Sequence, residues 1–176
     1  MRINCKSTRI KLRKLKISDA EFLCKNANDK DIVRYTYVFP PPFNIKKAKE
    51  FIRKIQKEWK DKKSFEFGIE LKKSRKLIGT VNIFNINYRN KKAEVGLWLS
   101  KKYWGRGLAE ESLSLLLCSG FNKLKLKKFQ ARILHKNIFA QKLIEKMGFK
   151  LEKRLKRNTF FKNEWFDDLI YIIKVD

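Results

Sequence analysis

The sequence is poor in what marks an extended, membrane-spanning or metal-built protein. Seven glycines and three prolines in 176 residues exclude a collagen-like or linker-rich chain. No apolar run approaches the roughly 20 residues needed to span a bilayer. The longest, residues 113–118 and 169–173, sit inside patterned segments. There is one histidine, His135, and the three cysteines, Cys5, Cys24 and Cys118, form no CxxC pair, which argues against a zinc site. An odd cysteine count without a secretory signal predicts a reducing, cytoplasmic setting. The first sixteen residues carry seven cations and no acid, as a presequence does. Ile10, Leu12 and Leu15 among those cations read better as an edge strand leading into a helix.

Acidic residues are scarce too. Only 18 oppose 44 Lys and Arg, a net charge of +26. The excess is +12 over residues 1–63, +8 over 64–127 and +6 over 128–176, so it is not held in a tail. With 43% hydrophobic and 13% aromatic residues, the chain is not a disordered basic segment. Its length suits one domain over residues 1–176 with a real core. Of the cations, 33 are Lys and 11 Arg. Lys is a solvated point charge, so a plain Lys-rich surface is read slightly ahead of a dedicated nucleic-acid face. Either way the field attracts anions: phosphates, RNA or an anionic cofactor.

The pattern alternates strands and helices. Residues 10–15 read as a strand. Ser18-Asp19-Ala20-Glu21 has the capping-box form, and a helix to about Ala27 should follow. Residues 29–35 add another turn or two. Phe39-Pro40-Pro41-Pro42-Phe43 marks a loop. Asn44 caps a helix in which Ile45, Ala48, Phe51, Ile52 and Ile55 recur at helical spacing. Residues 64–71, 77–87 and 93–100 form an antiparallel meander. Helix 108–121, strand 128–134 and helix 138–147 follow, and a hairpin of strands 149–161 and 166–174 closes the chain. The fold class is α/β (α+β): a mixed, mostly antiparallel sheet of about six or seven strands flanked by helices.

Two motifs carry chemistry. Tyr103-Trp104-Gly105-Arg106-Gly107-Leu108-Ala109 lies between a strand and a helix. Such a turn offers an anion the free N–H groups and positive end of the helix. It is neither a P-loop nor the dinucleotide fingerprint. The second motif runs from Asn137, a helix cap, to Gly148-Phe149.

With these motifs, the strand opening Ile78-Gly79-Thr80, and Ala93-Glu94-Val95-Gly96-Leu97-Trp98-Leu99, the chain resembles the GNAT superfamily of N-acetyltransferases. The resemblance covers nearly the whole chain and is closest to the ribosomal-protein N-terminal acetyltransferase branch. It implies the acyl-CoA N-acyltransferase fold, with acetyl-CoA as co-substrate and a cofactor core at about residues 93–149. Backbone groups of Trp98, Leu99 and Ser100 would pair with the pantetheine arm. The turn through Trp104, Gly105, Arg106, Gly107, Leu108 and Ala109 would hold the pyrophosphate. Asn137 would contact the pantetheine or orient the neighbouring loop. No metal is implied.

The family's catalytic side chains do not carry over. Ile144, Ala140 and Thr159 stand where relatives place a tyrosine, a serine and a carboxylate. Glu94 is the remaining base, sharing a strand face with Gly96 and Trp98. A solvated carboxylate is an equal reading of Glu94. His135 reads as a loop histidine without a catalytic task, Cys118 as core, and Tyr103 and Tyr171 as further proton donors in principle.

The expected substrate is a primary amine, and the +26 charge favours a protein or peptide N-terminus, in RNA or ribosome proximity. The alternatives are a small-amine acetyltransferase, for polyamines or antibiotics, and a catalytically reduced CoA-binding or RNA-binding module. No membrane partner is expected, and either a monomer or a homodimer is compatible.

Overall fold

The computed structural model describes residues 5–34, 42–161 and 163–174. Part of the expected Phe39–Phe43 loop, and Tyr35 at the end of the preceding segment, lie outside them. The element order is β1 (Ile10–Lys14), α1 (Ala20–Ala27), α2 (Lys30–Val33), α3 (Ile45–Lys60), β2 (Phe65–Leu71), β3 (Leu77–Asn87) and β4 (Lys92–Leu99). It continues with α4 (Leu108–Asn122), β5 (Lys128–Leu134), α5 (Ile138–Lys146), β6 (Lys150–Phe161) and β7 (Glu164–Lys174). The strands form one sheet in the order β1-β2-β3-β4-β5-β7-β6. Every neighbouring pair is antiparallel except β4 and β5, which are parallel and joined through α4.

Period-two patterning sets which side chains share a face. Ile69, Val81, Ile83, Val95, Phe129 and Tyr171 form the main core with Leu113, Leu116 and Leu117 of α4 and Ile144 of α5. Burying each such aliphatic side chain contributes roughly 1.5–3 kcal/mol. A smaller core on the other face joins Trp98 to Leu23 of α1 and Ala48, Ile52 and Ile55 of α3. The polar alternates of β2 therefore do not meet solvent: Glu66 and Glu70 are buried. Glu70 pairs with Lys11 and Arg13. Close approach of β3 and β4 explains Gly79, where an added Cβ would lie 2.2 Å from the Trp98 carbonyl oxygen.

Two sequence expectations change. The capping box at Ser18 is not formed. A 3-10 turn, Ile17–Asp19, precedes α1, and Asp19 accepts from the Lys16 N–H at 2.7 Å. Arg13 clasps the same carboxylate with both terminal nitrogens, at 2.7 and 2.8 Å. Asp19 thus closes the box two residues earlier, on Lys16, and its grip by Arg13 favours that arrangement over a serine cap. The second change is at Cys118, read as a core thiol in a reduced chain: it is disulfide-bonded to Cys5, 113 residues away. Cys24 is the free cysteine among the described residues.

Candidate active site

The parallel pair β4 and β5 is in register only from Lys92–Glu94 against Lys128–Gln130. Beyond that the two strands separate, although β4 continues to Leu99 and β5 to Leu134. The wedge opens into a cleft of about 640 Å³, lined by both strands and by parts of α3, α4 and α5. Because β4 and β5 run parallel, the helices that follow them, α4 and α5, both begin at the open end. Their N-termini bring unpaired donors and positive dipole ends to the cleft mouth.

The glycine turn is built for backbone exposure. Gly105 and Gly107 have φ of +70° and +72°, which L side chains rarely adopt. An added Cβ at Gly105 would meet nothing within 4 Å. Gly107 is the N-cap of α4 and no side chain caps that end. Glu111 is the residue whose N–H first returns to the chain, on the Gly107 carbonyl at 3.1 Å. The first-turn donors of Leu108, Ala109 and Glu110 are therefore left for an anion. Arg9 braces the turn from below, donating to the Arg106 carbonyl at 2.9 Å and to Glu111 at 2.8 Å. Arg9 lies 97 residues from Arg106, and no local signal pointed to it.

The other expected cofactor contacts divide. Trp104 is partly exposed, and its indole N–H is spent on the Leu99 carbonyl at 2.7 Å. The Ser100 N–H is bonded to the Ile78 carbonyl on β3 at 2.8 Å, so it does not face the wedge. Alternation along the ladder turns the backbone of Leu97 and Leu99 outward instead. Leu97, a cleft-lining residue, thus presents outward backbone where sequence reasoning named Trp98 and Ser100, whose backbone groups face β3. Trp98 lines the cleft while its ring lies 6.0 Å from that of Phe22, stacked under α1. Asn137 caps α5, accepting the Ala140 N–H at 3.1 Å, and also lines the cleft.

Glu94, Gly96 and Trp98 do share a face and all line the cleft. Asn85 donates to Glu94 Oε1 at 3.0 Å. Glu58 and Glu66 join Glu94 in the lining, against the cations Lys54 and Arg132. Lys54 pairs with Glu58 at 3.7 Å, and Arg132 with the fully buried Asp168 at 3.5 Å. The sequence holds no acidic run there; the fold collects three carboxylates from α3, β2 and β4. Glu66 is held above the usual carboxylate range by burial, against the hydrogen bonds from Thr80 and Asn82.

The remaining proton-donor candidates are accounted for. Thr159 lines the cleft but gives its hydroxyl to Asp168 at 2.9 Å, which also accepts from Asn158 at 2.7 Å. His135 Nδ1 accepts the Asp167 N–H at 3.0 Å, locking the ring against β7. Cys118 is oxidised, and Tyr103 is buried.

Tyr171 lies in the main core on the opposite sheet face, donating to Glu145 at 2.9 Å. Burial, reinforced by Glu145, pushes its phenol up to about 12 from 10.0. A raised pKa means the native state holds the proton more tightly. The resulting stability is present in full below pH 10 and is lost as pH rises through about 12. Ultraviolet titration should show a tyrosine ionising near 12, with unfolding following it. Ionisation of all tyrosines together near 10 would refute this.

Residues 9–150 match the family described as acetyltransferase (GNAT) domain. The chain is 29% identical to the uncharacterized N-acetyltransferase p20 of Bacillus licheniformis over 148 residues, 84% of this chain and 83% of the relative. A spermidine N-acetyltransferase from Vibrio cholerae, solved with CoA and spermine, is similar at 25% identity and a TM-score of 0.84, over 96% of each chain. A ribosomal-protein-S5-alanine acetyltransferase from Vibrio fischeri superposes with a TM-score of 0.86 at 21% identity, over 96% of this chain and 94% of that one, a likeness of fold. With the wedge between β4 and β5, the uncapped glycine turn and this match over most of its length, the chain belongs to the GNAT acetyltransferase family.

Proposed function

We propose that the chain transfers acetyl from acetyl-CoA to a primary amine, foremost the N-terminal amine of a protein or peptide. The observation that carries it is the opening of β4 from β5 directly beside the uncapped N-terminus of α4. The residues present fit the co-substrate. The Leu108–Glu110 donors and the space over Gly105 suit a pyrophosphate, and the outward backbone of Leu97 and the outward N–H of Leu99 suit the pantetheine amides. Asn137, at the mouth, suits the same arm.

When bound, acetyl-CoA supplies a thioester: its acyl carbon bonds to the amine nitrogen as the C–S bond breaks, and the sulfur keeps the electron pair and takes up a proton. The chain's part is to bind, orient and move the amine proton. Glu94, on the cleft face, receives it. A basic surface near RNA would bring the enzyme to ribosome-bound amines.

A polyamine is the second reading. It is favoured by Glu58, Glu66 and Glu94 in the cleft and by the spermidine N-acetyltransferase likeness. The deciding experiment incubates the protein with acetyl-CoA and a panel of peptides and polyamines, following free thiol and added acetyl by mass spectrometry. Acetylated peptide N-termini are expected. Acetylation confined to polyamines selects the second reading, and no acetylation of any amine overturns both.

A further inference from the structure

The cleft floor holds a polar atom that the expected chemistry has not used. Glu66, Asn82 and Gly96 lie opposite one another on β2, β3 and β4, so all three share the cleft face. The Asn82 carboxamide reaches over Gly96, where an added Cβ would come within 2.6 Å of Oδ1. Its Nδ2 donates to Glu66 Oε2 at 2.7 Å. Only the amide nitrogen can donate to a carboxylate, so Glu66 fixes which end of the carboxamide turns toward Gly96. That end, Oδ1, is buried and has no hydrogen-bond partner among the described residues. A buried acceptor left unmet costs about 1–3 kcal/mol, and native proteins keep few of them.

We infer that Asn82 Oδ1 accepts an N–H of the amine substrate above Gly96, and that Glu66 acts as the positioning residue that aims it. The inference rests on the acetyltransferase reading and deepens it. An acceptor in this place does not take the proton. It holds one N–H of the amine so that the nitrogen lone pair is turned to the acetyl carbon. Glu94, two residues from Gly96 on the same face, stands within reach of another N–H. Gly96 has a reason too: a side chain there would collide with the Asn82 carboxamide and push Oδ1 out of place. The same site serves a peptide N-terminus or a polyamine, because both present a primary amine with N–H groups to donate.

The test compares Asn82→Leu, Glu66→Leu and Gly96→Ala with the parent chain on the best amine of the panel. Asn82→Leu removes the acceptor with a side chain of like shape. Glu66→Leu removes the group that holds Asn82 Nδ2, so nothing then fixes which end of the carboxamide turns toward Gly96. The methyl group of Gly96→Ala displaces Oδ1 without altering its chemistry. Each should raise the amine KM about tenfold to a hundredfold. The KM for acetyl-CoA and the CoA affinity by calorimetry should stay within about twofold, which also reports that the variants fold. An unchanged amine KM in Asn82→Leu and Gly96→Ala overturns the inference while leaving the acetyltransferase reading intact. An equal loss of CoA affinity overturns it as well, since a structural defect moves both constants. If the parent acetylates no amine, the acetyltransferase reading fails first and takes this inference with it.

Discussion

Replacing Glu94 by glutamine should lower turnover by about a hundredfold or more and change the shape of the pH–rate profile. The magnitude is that of losing one general base. Glutamine keeps the volume and can still bond to Asn85, which holds Oε1 of the native carboxylate at 3.0 Å. What it loses is the ability to take a proton, so the readout separates chemistry from packing. An ammonium must be deprotonated before it attacks. In this cleft Glu94 is the carboxylate beside Gly96 with an open path to solvent, whereas Glu66 is buried behind Asn82. Turnover and pH profile matching the parent would remove Glu94 from the mechanism and leave water as the acceptor. Loss of CoA affinity in the variant would show a disturbed cleft instead, so that affinity is measured alongside.

Reducing the Cys5–Cys118 bond should lower the free energy of unfolding by about 2–4 kcal/mol. The bond closes a loop with a sequence separation of 113, and the restriction of the unfolded chain grows slowly with loop length. It also anchors the segment that carries Ser7 and Arg9 to α4, where both engage Glu111. Urea unfolding with and without a reductant measures the effect, and Cys118→Ser should reproduce the reduced value without added reductant. Coincident midpoints in all three conditions would mean that the bond contributes nothing to stability. Because Cys118 is nearly buried on α4, serine adds a modest polar cost, and comparing it with the reduced parent separates the two.

Local signals in the chain carried the fold a long way. Alternation in residues 64–71 and 93–100 placed those strands within a residue, and Asn44 with the helical spacing of residues 45–55 placed the start of α3, which runs on to Lys60. The seven strands and their mixed pairing fall within the expected architecture. The glycine turn was legible because its physics is local: positive φ and an uncapped helix end are written into Gly105 and Gly107. What was missed is long-range. Arg9 under Arg106, Glu66 behind Asn82, Asp168 behind Thr159 and Cys5 on Cys118 join residues from different segments of the chain. The failed cap at Ser18 has a local origin instead: Asp19 closes the box on Lys16 and pairs with Arg13, six residues earlier. The three cleft carboxylates stand on different elements, so no stretch of sequence reveals their sum.

The strand order places β1 and β6 at the two borders of the sheet. Each border strand offers a row of backbone donors and acceptors that a second chain could pair with. They differ in charge: on β1 Lys11 and Arg13 are paired with Glu70, whereas β6 carries Lys150, Lys153, Arg154, Lys156 and Arg157 against Glu152 alone. Two copies meeting β6 to β6 would set these like charges side by side, at a Coulomb cost that salt relieves. Part of the +26 charge thus opposes edge-to-edge pairing at β6, whatever it does for substrate or RNA.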